Sequence, residues 1–199
     1  MTLKKYKEKR DFKKTSEPKA EKKKGTKTLQ FCVQKHAATN LHYDFRLELE
    51  GVLKSWAVPK GPSLNPKDKR LAMMVEDHPY DYRKFEGIIP KNEYGGGEVI
   101  LWDEGNYSAI NEIEKKKAEK ILLEGLKKGD LKFVLNGRKL KGEFVLIKMK
   151  NRGENQWLLI KHKDDYASAK DILKEDKSIK SGKTIEDLKN ENKKEKKSK

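Results

Sequence analysis

The chain has 199 residues, 40% charged and 34% hydrophobic, with a formal net charge of +16. That length suits one domain with extra material at its ends, and no stretch approaches the roughly 18 apolar residues of a membrane span. A lone cysteine, Cys32, excludes an internal disulfide framework and a cysteine-based zinc site, and reads as a small buried hydrophobe.

Residues 1–27 carry twelve Lys/Arg against four Asp/Glu, and residues 170–199 carry eleven Lys against seven acids. The stretch between keeps a net of +4 and nearly all the large apolar side chains. This predicts a basic N-terminal arm (1–27), a core domain (28–167) and a lysine-rich, flexible C-terminal tail (168–199). Such basicity attracts polyanions by counterion release and points to nucleic acid ahead of mere solubility. With no signal-peptide hydrophobic region, the expected setting is the cytoplasm, in association with the nucleoid and with no membrane partner.

After the arm, strands are predicted over 29–36, 41–49 and 52–58, with Glu50-Gly51 as a turn. A proline-punctuated loop over 59–68 leads to a strand over 71–76, then a loop over 77–82. Further strands are read at 85–89 and 98–102, joined by Tyr94-Gly95-Gly96-Gly97, a turn or bulge with none of the residues of a Walker loop. Asn111 to Lys128 is the one strong helix, with Asn111 as its cap and Gly129 as its stop. Strands at 131–135, 142–149 and 156–160 complete the set. The expected fold is mainly β: a compact antiparallel barrel of about eight strands with one or two flanking helices and flexible basic termini. Trp56, Trp102 and Trp157 are expected in its core, and His162 at its surface.

The run from Leu41 to Leu49 alternates strictly, with Leu41, Tyr43, Phe45, Leu47 and Leu49 on one parity and His42, Asp44, Arg46 and Glu48 on the other. This is the pattern of a strand with one face in a core and one in solvent. Its polar face places an imidazole, a carboxylate and a guanidinium about 6–7 Å apart in sequence. If residues 37–41 form a hairpin loop, His36 lands opposite His42, and His36, His42 and Asp44 make a three-ligand set suited to Mn²⁺, Fe²⁺ or Zn²⁺. Ordinary surface salt bridges are the competing reading. Arg46 has the planar fork that grips two phosphate oxygens, unless it pairs with Glu48 or Glu50. His78, next to Glu76 and four residues before Tyr82, is a candidate general acid or phosphate donor, or else a structural loop histidine. Lys60 and Arg70 flank the proline-rich loop and would add positive charge.

Gln34-Lys35-His36, the run from Leu41 to Glu48, Trp56-Ala57-Val58-Pro59-Lys60-Gly61-Pro62-Ser63 and Val75-Glu76-Asp77-His78-Pro79 closely resemble the 3′-phosphoesterase module of bacterial DNA ligase D. Residues 85–90 and 157–161 extend the match to about residues 5–166, in what looks like a free-standing version of the module. The resemblance implies a small barrel with a Mn²⁺-dependent site that heals DNA 3′ ends. It would remove a terminal 3′ ribonucleoside to leave a 3′-phosphate, then remove the phosphate to leave a 3′-hydroxyl. The expected partners are primer-template 3′ ends and a DNA ligase or other end-joining protein in trans. By position, His36, His42 and Asp44 match the metal ligands. Arg46, His78 and Tyr82 match residues at the reacting phosphate, with Glu76 in support, and Lys60 and Arg70 match positions tied mainly to the monoesterase step. Arg10, Asp11 and Glu17 match a family motif, so part of the arm is expected to be ordered over the site. The tail beyond about residue 167 has no counterpart in the resemblance. Two rival functions are a non-catalytic, single-strand-binding barrel, which leaves the His/Asp set without a task, and a non-haem iron oxygenase, whose second imidazole ordinarily comes much later in the chain.

Overall fold

Short alternating segments with tight turns between them can bury one face each only by pairing in sequence order and curling closed. The computed structural model, which describes residues 3–21, 26–150 and 152–197, shows this outcome. The strands are β1 (Leu29–Ala37), β2 (Leu41–Leu49), β3 (Val52–Val58), β4 (Arg70–Met74), β5 (His78–Pro79), β6 (Gly87–Ile89), β7 (Gly97–Ala109), β8 (Asp130–Gly137), β9 (Lys141–Lys148) and β10 (Gln156–Lys161). Antiparallel pairing runs β1-β2-β3-β4-β10-β9-β8-β7, and β7 returns to β1, so eight strands close the barrel. Outside the ring, β6 pairs with β7 and the two-residue β5 pairs with β3. Three helices accompany it: α1 (Lys4–Glu8), α2 (Lys115–Lys128) and α3 (Ile185–Lys197). The mainly β barrel expected from the sequence is the fold of this chain.

One parity of each strand fills the interior. Phe31, Phe45, Trp56, Trp102, Phe133, Phe144 and Trp157 are all buried there, with Phe133 5.8 Å from Phe45 and Trp56 5.9 Å from Trp157 between ring centroids. Each such side chain contributes about 1.5–3 kcal/mol through removal from water. Cys32 is buried as well, and its surroundings push its thiol up to about 12, chiefly by burial.

Several expectations need correction. The polar face of β2 is not in solvent: Asp44, Arg46 and Glu48 are all buried. Over Asp44 and Arg46 the cover is the N-terminal arm, where Tyr6 of α1 packs fully buried with Leu53, Tyr82, Phe85, Ile89 and Val99, while Glu48 lies under Lys115 of α2. The C-terminal segment, expected as a loose tail, is packed too. Ile172 joins the main core, Trp102 Nε1 donates to the Glu175 carbonyl at 2.7 Å, and Ile185 and Leu188 of α3 pack against Ile100. A few apolar residues suffice to dock a lysine-rich stretch whose charges stay in water. Residues 1, 2, 22–25, 198 and 199 of the two expected basic ends lie outside the described residues.

The helix begins at Lys115 rather than at Asn111. Asn111 has φ 61° and turns the chain after β7, a left-handed conformation that asparagine tolerates. Ile113 stands 85% exposed before the helix, so its apolar spacing misled. Gly129 does end α2, with φ 76° and its N–H turned back to Gly125 and Leu126 carbonyls. Strand β7 runs on to Ala109, well past Trp102, because it serves two partners, β1 and β8.

Gly97 is where β7 begins beside the β1–β2 hairpin. Its φ is +147°, and a Cβ there would sit 2.2 Å from the Ala37 carbonyl oxygen. Gly97→Ala is expected to cost about 2–3 kcal/mol through strain and overpacking, lowering the Tm by roughly 5–10 °C in a thermal melt.

Candidate active site and metal centre

The register between β1 and β2 sets His36 opposite His42, Gln34 opposite Asp44 and Cys32 opposite Arg46. Strand β3 adds Ser55 opposite Arg46. Directly opposed residues of an antiparallel pair share a face, so one patch of the outer barrel wall collects two imidazoles, a carboxylate, an amide, a guanidinium and a hydroxyl. The hairpin reading that joined His36 to His42 is thereby realised in the register.

His36 Nδ1 lies 3.5 Å from Asp44 Oδ2, and His42 Nε2 lies 3.7 Å from Asp44 Oδ1. The two rings are 4.7 Å apart between centroids. The far nitrogen of each ring is occupied: His36 Nε2 donates to the Gly95 carbonyl at 2.8 Å, and His42 Nδ1 donates to the Asn40 carbonyl at 2.9 Å. In the neutral rings those bonds leave the lone pairs of His36 Nδ1 and His42 Nε2 facing Asp44, which is how outer-shell carbonyls orient metal-binding imidazoles. One ligand atom from each of the three residues lies within 4.8 Å of the others, and no other such group of His, Cys, Asp or Glu occurs among the described residues. Bonds of 2.0–2.2 Å around one ion would space the donors about 3.0–3.6 Å apart, so a modest contraction fits the set to a divalent transition metal. Burial opposes ionisation of Asp44, but the Arg46 guanidinium, joined by the two imidazoles whenever they carry a proton toward it, outweighs it and holds the carboxyl well below the usual range.

Arg46 is buried and its fork is engaged on three sides. Nε donates to Gln34 Oε1 at 2.8 Å, Nη1 to Ser55 Oγ at 2.8 Å and Nη2 to Asp44 Oδ2 at 3.1 Å. Three of its five N–H donors are thus used to fix its plane. The expected alternative, pairing with Glu48 or Glu50, is not seen: Glu48 instead accepts from Lys115 and from the Gln30 N–H.

The arm closes over this patch. Arg10 stacks on Tyr6 at 3.9 Å and donates to Glu17 Oε1 at 2.8 Å and Glu76 Oε1 at 3.4 Å. Glu17 also accepts from the Tyr82 hydroxyl at 2.8 Å and from Thr15. Lys9 bridges Glu76 Oε2 and the Tyr94 hydroxyl. His78 Nδ1 faces the Glu76 carbonyl at 2.9 Å, and its Nε2 lies 3.4 Å from Arg10 Nη2. Burial, Arg46 and Arg10 hold the His78 imidazole well below its ordinary value, so it is neutral with the proton on Nδ1 and an acceptor on Nε2. Burial first, then Glu17, pushes the Tyr82 phenol well above its ordinary value, leaving it a donor. Arg10, His36, Asp44, Arg46, Glu76, His78 and Tyr82 line a shared cavity of about 80 Å³.

Of the candidates read from the sequence, those seven line the cavity, with His42 at its metal-binding edge and Glu17 anchoring Arg10 and Tyr82. Lys60, Arg70 and Asp11 do not line it. Lys60 is exposed after β3, Arg70 is paired with Asp68 at 2.8 Å, and Asp11 caps the Lys13 N–H at the outside of the arm. Sequence reasoning missed Gln34 and Ser55 as the partners of Arg46, Tyr6 as the platform for Arg10, and Tyr94-Gly95 as the wall beside His36. Gln34 was legible in principle, because Cys32, Gln34 and His36 share a parity on β1. His162 keeps its expected place away from the site, beside Glu143.

Comparison with known proteins adds an independent finding. Residues 34–148 match the family described as the DNA ligase D 3′-phosphoesterase domain. The chain is 51% identical over 179 residues to the multifunctional non-homologous end joining protein LigD of Pseudomonas aeruginosa, covering 87% of this chain and 20% of that protein. It is 42% identical over 162 residues to the protein of the same name from Mycolicibacterium smegmatis, covering 80% of this chain and 20% of the relative. Against the multifunctional non-homologous end joining DNA repair protein LigD of Mycobacterium tuberculosis the identity is 38% over 157 residues, or 78% and 19% of the two chains. The chain spans about a fifth of the length of these relatives. Among the described residues, no helix is long and apolar enough to cross a membrane.

The arm's hold on the site has a pH signature. Burial opposes ionisation of Glu76, but the hydrogen bond from its own backbone and the charges of Lys9 and Arg10 outweigh it and lower its pKa. A depressed carboxylate contributes its stability fully above its unfolded value and loses it as pH falls through the folded one. Arm docking is therefore expected to weaken as pH drops below about 4. Hydrogen-exchange protection of the amides of residues 7–14 should fall there, and in Glu76→Gln it should already be low at pH 7 and change little with pH.

Proposed function

The chain belongs to the DNA ligase D 3′-phosphoesterase domain family, and from that premise we propose that it is a metal-dependent phosphoesterase that heals DNA 3′ ends for joining. The observation that carries this reading is the His36–His42–Asp44 set, its lone pairs turned inward by the Gly95 and Asn40 carbonyls, with the Arg46 guanidinium 3.1 Å from the same carboxylate.

His36, His42 and Asp44 are the residues that would hold the ion, and Mn²⁺ is the metal proposed. Bound there, such an ion supplies Lewis-acid polarisation of a phosphoryl oxygen and neutralises charge on the attacking oxygen. Arg46, pinned by Gln34, Ser55 and Asp44, presents its remaining N–H donors to the phosphoryl oxygens without reorganising. Arg10 adds a second guanidinium from the opposite wall and withdraws when the arm lifts. His78 accepts from Arg10 in the closed arrangement, so its first role is to position that guanidinium, with Tyr82 and Glu17 completing the clamp. Proton delivery by His78 Nε2 requires a protonated ring, which its burial beside two guanidiniums opposes.

The proposed substrates are primer-template 3′ ends that carry a terminal ribonucleotide or a 3′-phosphate. Removal of the terminal ribonucleoside leaves a 3′-phosphate, and hydrolysis of that ester leaves the 3′-hydroxyl a ligase requires. A preference for a ribonucleotide follows if the neighbouring 2′-hydroxyl is a required group, since that hydroxyl is what separates RNA from DNA at a site. Joining itself would fall to a DNA ligase, on this polypeptide or another.

A 5′-labelled primer-template ending in one ribonucleotide, incubated with Mn²⁺ or with EDTA, tests the proposal. Mn²⁺ is expected to give stepwise shortening to the 3′-phosphate and then the 3′-hydroxyl, and EDTA to stop both. His42→Ala and Asp44→Ala should lose activity beyond the roughly 10–100-fold typical of outer-shell changes, and lose Mn²⁺ binding by calorimetry. Arg46→Lys should lose about 10²-fold or more with Mn²⁺ binding retained. Undiminished cleavage by a folded His42→Ala variant would refute the metal assignment.

A further inference from the structure

The wall next to the metal set is shaped by a second feature. Strand β1 passes from His36 into Ala37, Ala38 and Thr39, while Gly95, whose carbonyl holds His36, runs on through Gly96 and Gly97. These two backbones form one side of an open groove of about 500 Å³, and α3 forms the other. Three cations line it, Lys91 from the 90–96 turn and Lys189 and Lys193 from α3, together with Asn192 and Thr39. Among the described residues, Glu98 is the one carboxylate in the lining.

The orientation of α3 explains why its lysines gather there. Ile185 and Leu188 form an apolar stripe that packs on Ile100 and Ala37. Asn192 and Lys193 lie one helical turn on from Lys189, at i+3 and i+4, and so share with it the flank facing the groove. Two of the helix's acids are engaged elsewhere: Asp187 accepts from Thr184 at the helix start, and Glu191 pairs with Lys183 at 2.7 Å.

We infer that this groove seats the phosphodiester backbone of the DNA whose 3′ terminus enters the metal set, and that α3 belongs to the DNA-binding surface. The inference rests on the end-healing reading for its choice of polyanion. Groove and site cavity share no lining residue but adjoin along the chain, Ala37 following His36 and Gly96 following Gly95, so a strand with its terminal phosphate beside Arg46 would cross the rim at Thr39 and Gly96 into the groove. Its next phosphates then pass Lys91, Lys189 and Lys193, each neutralising one and releasing its counterions. Small residues at 37, 38, 96 and 97 let the backbone approach closely, and Asn192 and Thr39 supply uncharged donors.

The test is binding of a 5′-fluorescein primer-template to the full chain, by anisotropy in EDTA across 50–200 mM salt, so that no turnover is needed. The triple variant Lys91→Gln/Lys189→Gln/Lys193→Gln is compared with Lys116→Gln/Lys117→Gln/Lys120→Gln. The second set removes three exposed lysines from α2, which contacts Glu48 and Glu50 at the far end of β2, about 25 Å along the strand from His42. The groove variant is expected to bind about tenfold more weakly or worse, and to flatten the salt slope by about 2–3, while the α2 variant stays near wild type. Equal losses in both variants, or wild-type affinity and slope in the groove variant, would overturn the assignment. Wild-type failure to trim the 3′ end would count against the end-healing reading and leave this binding comparison to decide the groove.

Discussion

The pairing of β1 with β2 in the register that opposes His36 and His42 is the constraint on which the rest of the site depends. A slip of one residue would turn the imidazoles, Asp44 and Arg46 into the barrel and put Tyr43 and Phe45 outside. The slip is prevented by the core: Phe45 and Leu47 face inward with no exposure, and each loses a large hydrophobic contribution if the strand moves. The same apolar parity that closes the barrel therefore aims the polar parity at one patch of its wall.

That patch is built to be covered. Arg46 is satisfied by residues from three strands, and a buried guanidinium with unmet donors would be costly. The arm completes the enclosure with its own charge pairs, Arg10 with Glu17 and Glu76, and with Tyr6 as the apolar seal. The interior of this clamp holds two guanidiniums, and burial first, then their charge, keeps His78 between them neutral. The arm is a separate segment held over a small cavity by charge-assisted bonds and by Tyr6, so on the proposed function it would lift to admit a terminal nucleotide.

Fold and site were legible to different depths. Strict alternation from Leu41 to Leu49 and turn chemistry at Glu50-Gly51 were enough for the hairpins, and the sequence places His36 one hairpin loop before His42. The cover was harder to read. Tyr6, Phe12 and Ile172, Ile185, Leu188 are thinly spread among lysines, so composition pointed to loose ends where a handful of apolar anchors dock them. Asn111 misled for a related reason, since a residue that caps helices also tolerates the left-handed turn that it makes here.

By itself the sequence determined the strands, the closed β architecture and the identity of the metal-type donors, because side-chain parity and turn residues are local properties. Only the tertiary structure decided which lone pair of each imidazole faces Asp44, that Gln34 and Ser55 hold Arg46, and that Lys60, Arg70 and Asp11 stay out of the cavity. Those facts depend on contacts between residues up to some sixty positions apart, such as His36 with the Gly95 carbonyl and Tyr82 with Glu17. Such distant pairings leave no periodic trace in the chain, and closure of the barrel is what brings them within hydrogen-bond reach.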